Sequence, residues 1–247
     1  MQRAVSLLGR GNLQEADRLL HEVAAIAPAE CVYSYLRDGS LQIKFWTQDE
    51  FLNYVMWQQG TGTDQNVTWI PSAYPRALYH LGFIRVATGD FEEAIQYLQE
   101  GRKLEPSNPK FIIEVAQANV QLGRFWAAIA LLSEVDRPGP HTSAQDLGVA
   151  LRAEGFILIE MGELDLAEEV YAQSLEFDPR SDLALNQLRY IDHLRKGGRQ
   201  ASVKVIENRP QDTLVCHRCG AAVREGRVTS VNGRIVGECA GCEPMRQ

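Results

Sequence analysis

Small and apolar residues recur along this chain in a fixed pattern. Each unit has a glycine, an alanine five positions later and a proline twelve positions after the alanine, so that it reads Gly-x4-Ala-x11-Pro. A pattern repeated on this scale is typical of a helical solenoid. The four units are Gly11, Ala16 and Pro28; Gly89, Ala94 and Pro106; Gly123, Ala128 and Pro140; and Gly162, Ala167 and Pro179.

Backbone stereochemistry assigns a role to each position of the unit. The glycine ends one helix at a tight turn, where a left-handed backbone favours Gly. The alanine lies where two antiparallel helices cross closely, and the proline begins the loop to the next unit because it cannot continue a helix. Each unit is therefore predicted to form a helix, a turn, a second helix and a loop.

A further amphipathic helix is predicted over residues 181–196, after the last unit. Leu188, Ile191 and Leu194 fall on one face of it. Such a helix would cap the apolar end of the solenoid, which stacking would otherwise leave in water. Gly197-Gly198 ends the helix, and residues 199–210 read as a linker.

Residues 29–72 interrupt the array, because Ala16 and Ala94 are separated by much more than one unit. Thr47-Gln-Asp-Glu50 is a capping box that predicts a helix to about Gln59. The segment is either a degenerate repeat or an insertion that carries a binding surface. Its apolar positions at helical spacing are Phe51, Leu52, Val55 and Met56.

Aromatic residues are concentrated in this same segment. Rings of this kind are favoured at binding sites, but large apolar side chains also fill protein cores, and the sequence leaves both roles open. The residues are Phe45, Trp46, Tyr54, Trp57 and Trp69.

The unit over residues 73–106 resembles the tetratricopeptide repeat, a 34-residue helix pair. It has Leu81-Gly82 in the first helix and Leu98 and Gly101 in the second, and the step from Ala94 to Ala128 is 34 residues. The resemblance implies an all-α solenoid over residues 1–198. In this family the first helices line a concave groove that binds an extended peptide or a partner helix. It implies eight partner-binding residues: Arg76, Tyr79, Phe83, Lys110, Ile113, Gln117, Arg152 and Phe156.

Two C-x2-C pairs stand near the end of the chain. Cys216 and Cys219 form the first, Cys239 and Cys242 the second, and this spacing predicts a closed four-thiolate metal site. Between them, Asn232-Gly233 is a strong hairpin signal. Disulfides are disfavoured because they would need an oxidising compartment, and a thiol-redox pair usually stands at a helix start.

The order knuckle, hairpin, knuckle resembles a zinc ribbon, so residues 211–247 are expected to form a small β module. The resemblance implies that the four cysteines bind structural zinc. Iron is the alternative, because a rubredoxin-like module uses similar thiolates.

Charge divides the chain into two parts. The net charge is −7, but residues 195–247 have ten Lys/Arg against five Asp/Glu and are +5. The acidic array is unlike a nucleic-acid footprint, whereas the basic tail leaves nucleic acid open as a partner through the ribbon. No apolar run is long enough to cross a bilayer, so a cytoplasmic protein without membrane insertion is expected.

No catalytic constellation is visible among the side chains. The five histidines are scattered, and none pairs recognisably with a nucleophile and a carboxylate. We therefore expect a non-enzymatic scaffold or adaptor that binds a protein or peptide in its groove. The alternatives are a nucleic-acid-associated regulator that acts through the ribbon, and an inhibitor or immunity protein that wraps and neutralises one enzyme.

Overall fold

The computed structural model describes residues 1–28, 33–63 and 65–200, together with four strands within residues 214–239. The chain forms two compact units. Unit 1 comprises Met1–Ala118 and Arg137–Ser143, and unit 2 comprises Asn119–Asp136 and Ala144–Gln247. The helices are α1 (Gln2–Gly9), α2 (Leu13–Ala25), α3 (Gln48–Gly60), α4 (Tyr74–Thr88), α5 (Phe91–Leu104), α6 (Pro109–Gln121), α7 (Phe125–Leu132), α8 (Ala144–Glu160), α9 (Leu164–Phe177) and α10 (Asp182–Arg195).

The repeating glycines and alanines have the predicted roles. The four turn glycines all have positive φ, and Gly89, at 87°, ends α4 in a left-handed conformation. The four alanines are completely buried, at 0% exposure each. The four glycines therefore follow α1, α4, α6 and α8, and the four alanines lie within α2, α5, α7 and α9, as the repeats read from the sequence predicted.

Glycines inside two of the first helices allow the second helices to approach closely. A Cβ placed on Gly82 would lie 2.6 Å from Leu98 Cγ, and one on Gly155 would lie 2.7 Å from Tyr171 Cε2. Neither distance is compatible with a real methyl group, so each helix pair depends on the missing side chain.

Residues 33–72 form a small α/β structure, which we call the insert. Its strands are β1 (Ser34–Arg37), β2 (Ser40–Phe45) and β3 (Val67–Pro71). β2 pairs antiparallel with β1 and parallel with β3, and α3 connects the two parallel strands. The interpretation as a degenerate repeat is therefore wrong, and the all-α prediction missed this three-stranded sheet. The array continues past the insert, since α2 packs directly on α4.

Helix α3 begins as predicted but buries a different face. Thr47 is its N-cap, and its hydroxyl accepts a hydrogen bond from the Glu50 N–H. Leu52 and Met56 are 45% and 63% exposed, whereas Tyr54 packs on the sheet. The apolar stripe misleads here because a helix lying on one side of a small sheet buries only one face.

Helix α10 lies where the capping helix was predicted. The Ser181 hydroxyl accepts from the Ala184 N–H at its start, and Gly197 follows its end with a φ of 84°. Ile191 is fully buried, as expected for the inner face. Arg195 also bonds Asp165, which ties α10 to α9.

Four strands are described near the end of the chain: β4 (Leu214–Val215), β5 (Ala222–Val223), β6 (Gly226–Val231) and β7 (Arg234–Cys239). β4 pairs with β5 and β6 with β7, both antiparallel. Val231 lies opposite Arg234 in the pairing of β6 with β7, and the predicted turn residues Asn232-Gly233 lie outside the described residues. Cys239 ends β7, while Cys216, Cys219 and Cys242 lie outside the described residues, and the metal site stays a prediction.

Candidate functional site: the α4–α6 surface

Helix α4 and the part of α6 that belongs to unit 1 present side chains predicted to contact a partner. We call the exposed and half-buried residues Arg76, Tyr79 and Phe83 of α4, together with Lys110, Glu114 and Gln117 of α6, the α4–α6 surface. The Tyr79 hydroxyl donates a 2.9 Å hydrogen bond to Glu114 Oε1 and so links the two helices. Burial raises the pKa of Tyr79 and also that of Glu114. The tyrosine therefore stays neutral and acts as a fixed donor.

The insert places Trp46 on this surface. Trp46 lies between the last residue of β2 and the N-cap of α3. Its ring makes edge-to-face contacts with two aromatic rings, at angles of 67° to Tyr79 and 88° to Phe111 and with centroid distances of 5.0 Å and 5.6 Å. Aromatic pairs with this edge-to-face geometry are stabilising beyond their buried area.

A buried carboxylate receives the indole N–H of that tryptophan. Trp46 Nε1 donates a 2.7 Å hydrogen bond to Oε2 of Glu105, which is 1% exposed. Glu105 also accepts from Ser72 Oγ and from Asn108 Nδ2. Burial raises the pKa of Glu105, and its three hydrogen bonds act in the opposite direction. Each donor therefore offsets part of the cost of burying this group.

Glu50 provides a second contact between the insert and the surface. Its Oε1 accepts a 2.7 Å hydrogen bond from Lys110 Nζ, and its Oε2 accepts one from the Trp46 backbone N–H. The Lys110 ammonium also lies 5.7 Å from the centroid of the Trp46 ring. Arg76 Nη1 is 3.5 Å from the Trp46 carbonyl oxygen. Three residues predicted to bind a partner, Arg76, Tyr79 and Lys110, therefore contact a segment of the chain itself.

The other predicted groove residues divide into open and engaged positions. Phe83 is 46% exposed and Gln117 is exposed, so both are accessible in unit 1. Ile113 is only 5% exposed, and the prediction that it contacts a partner is wrong because its side chain lies in the core. In unit 2, Phe156 is half-buried. Arg152 lies 3.3 Å from Asp178 in an ion pair whose arginine side chain is 13% exposed and whose aspartate side chain is 39% exposed.

The loop over residues 137–143 holds the insert through His141. Its Nδ1 shares a 2.9 Å hydrogen bond with the Tyr33 hydroxyl. The imidazole lies 5.3 Å from the Tyr33 and Tyr54 rings and 6.1 Å from Phe45, centroid to centroid. Burial lowers the pKa of His141 to about 4. Asn53 Nδ2 adds a 3.3 Å hydrogen bond to the Gly139 carbonyl.

Sequence reasoning missed three polar groups of this site: Glu105, Glu114 and His141. Only Glu50 had a local signal, since the capping box singled it out. No group of three or more metal-ligating side chains occurs within the described part of the chain. Across those same residues, no helix combines the length and apolar character needed to cross a bilayer.

Residues 85–154 and residues 153–181 match family models of the tetratricopeptide repeat. The chain therefore contains tetratricopeptide repeats, as the glycine and alanine spacing predicted. No curated protein sequence matches it.

Three solved structures that are similar to this chain show how far the likeness extends. The first TPR of Spaghetti (RPAP3), bound to an HSP90 peptide, is 22% identical with a TM-score of 0.42, over 49% of this chain and 93% of that chain. The Sgt2 TPR domain from Aspergillus fumigatus is 19% identical with a TM-score of 0.43, over 57% and 94%. MamA protein is 17% identical with a TM-score of 0.47, over 80% of each chain.

Proposed function

We propose that this chain is a non-catalytic interaction scaffold, and that a protein or peptide partner binds the first helices of its repeats. One observation carries the proposal. The α4–α6 surface already holds a polypeptide segment through an aromatic ring, a backbone carbonyl and a carboxylate. These are the contacts through which a solenoid surface binds a peptide.

The exposed part of the same surface is accessible to a partner. Phe83 is a large apolar side chain that is nearly half exposed, and Gln117 lies on the neighbouring first helix. Aromatic residues, phenylalanine among them, are enriched at protein interfaces. We therefore assign Phe83 as the principal accessible contact in unit 1.

The experiment is an affinity pull-down from the native host with mass spectrometry, followed by titration of the recovered partner. Phe83→Ala should weaken binding by roughly 2 kcal/mol, or about thirtyfold, with the fold intact. Leu183→Ala is the matched control, since Leu183 is 54% exposed on α10, which is not one of the first helices. Equal affinity of both variants and the wild type would contradict the assignment.

We also propose that residues 211–247 form a structural zinc module with Cys216, Cys219, Cys239 and Cys242 as ligands. The spacing of the cysteines supports the proposal, and so does the antiparallel pairing of β6 and β7 between them. A thiolate set of this type also accepts iron, which is the alternative metal.

A nucleic-acid-associated regulator is the second candidate function. It is favoured by the charge of residues 195–247, which are +5 while the preceding residues total −12. A basic segment of this kind can contact phosphates through Arg and Lys.

A further inference from the structure

The insert has a hydrophobic core of its own. Ile43, Phe45 and Tyr54 are buried together, with Tyr33, Leu41, Phe51 and Val67 packed around them. The core of the first repeats is a different cluster, centred on Ala16, Leu20 and Leu81, and the two clusters share no buried residue. Trp46 and Glu50, which contact the α4–α6 surface, are not part of the core of the insert.

The side chains of Trp46 and Glu50 make the kinds of contact that a bound peptide makes. Trp46 supplies an aromatic ring to Tyr79 and Phe111, and Glu50, four residues later, supplies a carboxylate to Lys110. Each group has a contact of matching chemistry. The Tyr79 and Phe111 rings lie against the indole, Glu105 accepts its N–H, and Lys110 binds the carboxylate.

We propose that the insert is an internal ligand of the α4–α6 surface. The external partner is a protein segment that presents a tryptophan and, four residues later, a carboxylate, and it replaces Trp46 and Glu50 when it binds. The inference rests on the proposed scaffold function and names the chemistry of its partner.

Release of Trp46 needs only a local change. The residue lies in the short connection between β2 and α3, so its side chain can leave while the core of the insert stays packed. When the indole leaves, Glu105 keeps two donors, Ser72 and Asn108, and is not left unpaired. The Glu50–Lys110 pair is partly exposed, with side chains 22% and 32% accessible, so water can replace each partner.

An internal ligand lowers the apparent affinity of the external one. If the docked form is favoured by roughly 100 to 1, a partner binds about 100-fold more weakly than it would to the free surface. Removing the internal ligand should therefore strengthen binding, which is the opposite of what loss of a direct contact would do.

The test uses the full chain and a synthetic peptide of residues 43–52 as the probe. Trp46→Ala/Glu50→Ala should bind this peptide at least tenfold more tightly than the wild type, measured by fluorescence anisotropy. Trp57→Ala/Asp49→Ala is the matched control, because it removes the same kinds of side chain from exposed positions of the same insert. The control should bind like the wild type.

Charge reversal tests the carboxylate contact. Adding Lys110→Glu to the double variant should abolish the gain, and a peptide with lysine at the position of Glu50 should restore it. Should the double variant fail to fold by circular dichroism, Glu50→Gln alone should give about a threefold gain. Equal affinities of wild type and variants, or equal binding of a peptide lacking tryptophan, would overturn the inference. Such a failure would leave the scaffold proposal intact, since the Phe83 titration tests that separately.

Discussion

The histidine that holds the loop over residues 137–143 should make the stability of unit 1 depend on pH. Burial lowers the pKa of His141 from the ordinary 6.5 to about 4, so the folded chain favours the neutral imidazole. The unfolded chain binds a proton at His141 between these two values while the folded chain does not. The stability that this group contributes is therefore complete above pH 6.5 and is lost as the pH falls toward 4.

The size of the effect follows from the shift. A difference of about 2.5 pKa units corresponds to about 3 kcal/mol between pH 7.5 and pH 4, at 1.36 kcal/mol per unit. Other groups also titrate in this range. Burial lowers the pKa of His80 to about 4, with the same sign, and raises that of Glu154 to about 7, with the opposite sign. The contribution of His141 is therefore measured as the difference between the stability profiles of the wild type and of a His141 variant over the same pH range.

The assay is urea unfolding, followed by circular dichroism, at pH values from 7.5 to 4. His141→Gln should lose some stability at pH 7.5, because the ring packs between Tyr33 and Tyr54. Its stability should then fall by about 3 kcal/mol less than that of the wild type over this range. His193→Gln, at an exposed position of α10, is the control for removing a histidine as such. Parallel profiles for wild type and His141→Gln would refute the reasoning.

Three further predictions address packing, metal and charge. Gly155→Ala should lower the free energy of unfolding by about 1 to 3 kcal/mol, measured by thermal or urea unfolding, because the new Cβ would meet the Tyr171 ring. Gly139→Ala is the control and should cost less than about 1 kcal/mol, since Gly139 has open space around it. Equal losses for the two variants would contradict the packing argument. Reduced, freshly purified protein should contain about one zinc per chain by elemental analysis. Cys216→Ser should lower the zinc content and leave the helical circular dichroism unchanged. Absence of both zinc and iron would refute the metal module. If nucleic acid is the partner, neutralising Arg224 and Arg227 should weaken binding to a generic duplex and flatten its dependence on salt, while Phe83→Ala should have no effect; a salt-independent interaction would exclude this function.

The helical array was predictable because its signals are local. Gly89 needs a positive φ at the turn, and Ala94 needs to be small at a helix crossing, so each residue reports its own environment. Ser181 likewise marks the start of α10 through a hydrogen bond three residues away. Signals of this kind can be read from the sequence without knowledge of the tertiary structure.

The insert and its contacts were not predictable from such signals. β2 and β3 pair in parallel and are connected through α3, so no short turn in the sequence indicates that they pair. The bond from Trp46 to Glu105 joins residues 59 positions apart, and that between Tyr33 and His141 joins residues 108 positions apart. The register of the repeat predicted Arg76, Tyr79 and Lys110 as groove residues, but it could not predict the segment that contacts them.

The central claim is that the first helices of the array bind a protein partner, and site-specific photo-crosslinking in the native host tests it most directly. A photoreactive phenylalanine analogue would replace Phe83 on the α4–α6 surface, and the same analogue would replace Leu183 on α10 as the control. We expect a discrete protein adduct from position 83 and none of the same mass from position 183. Absence of an adduct at position 83, or the same adducts from both positions, would contradict the account.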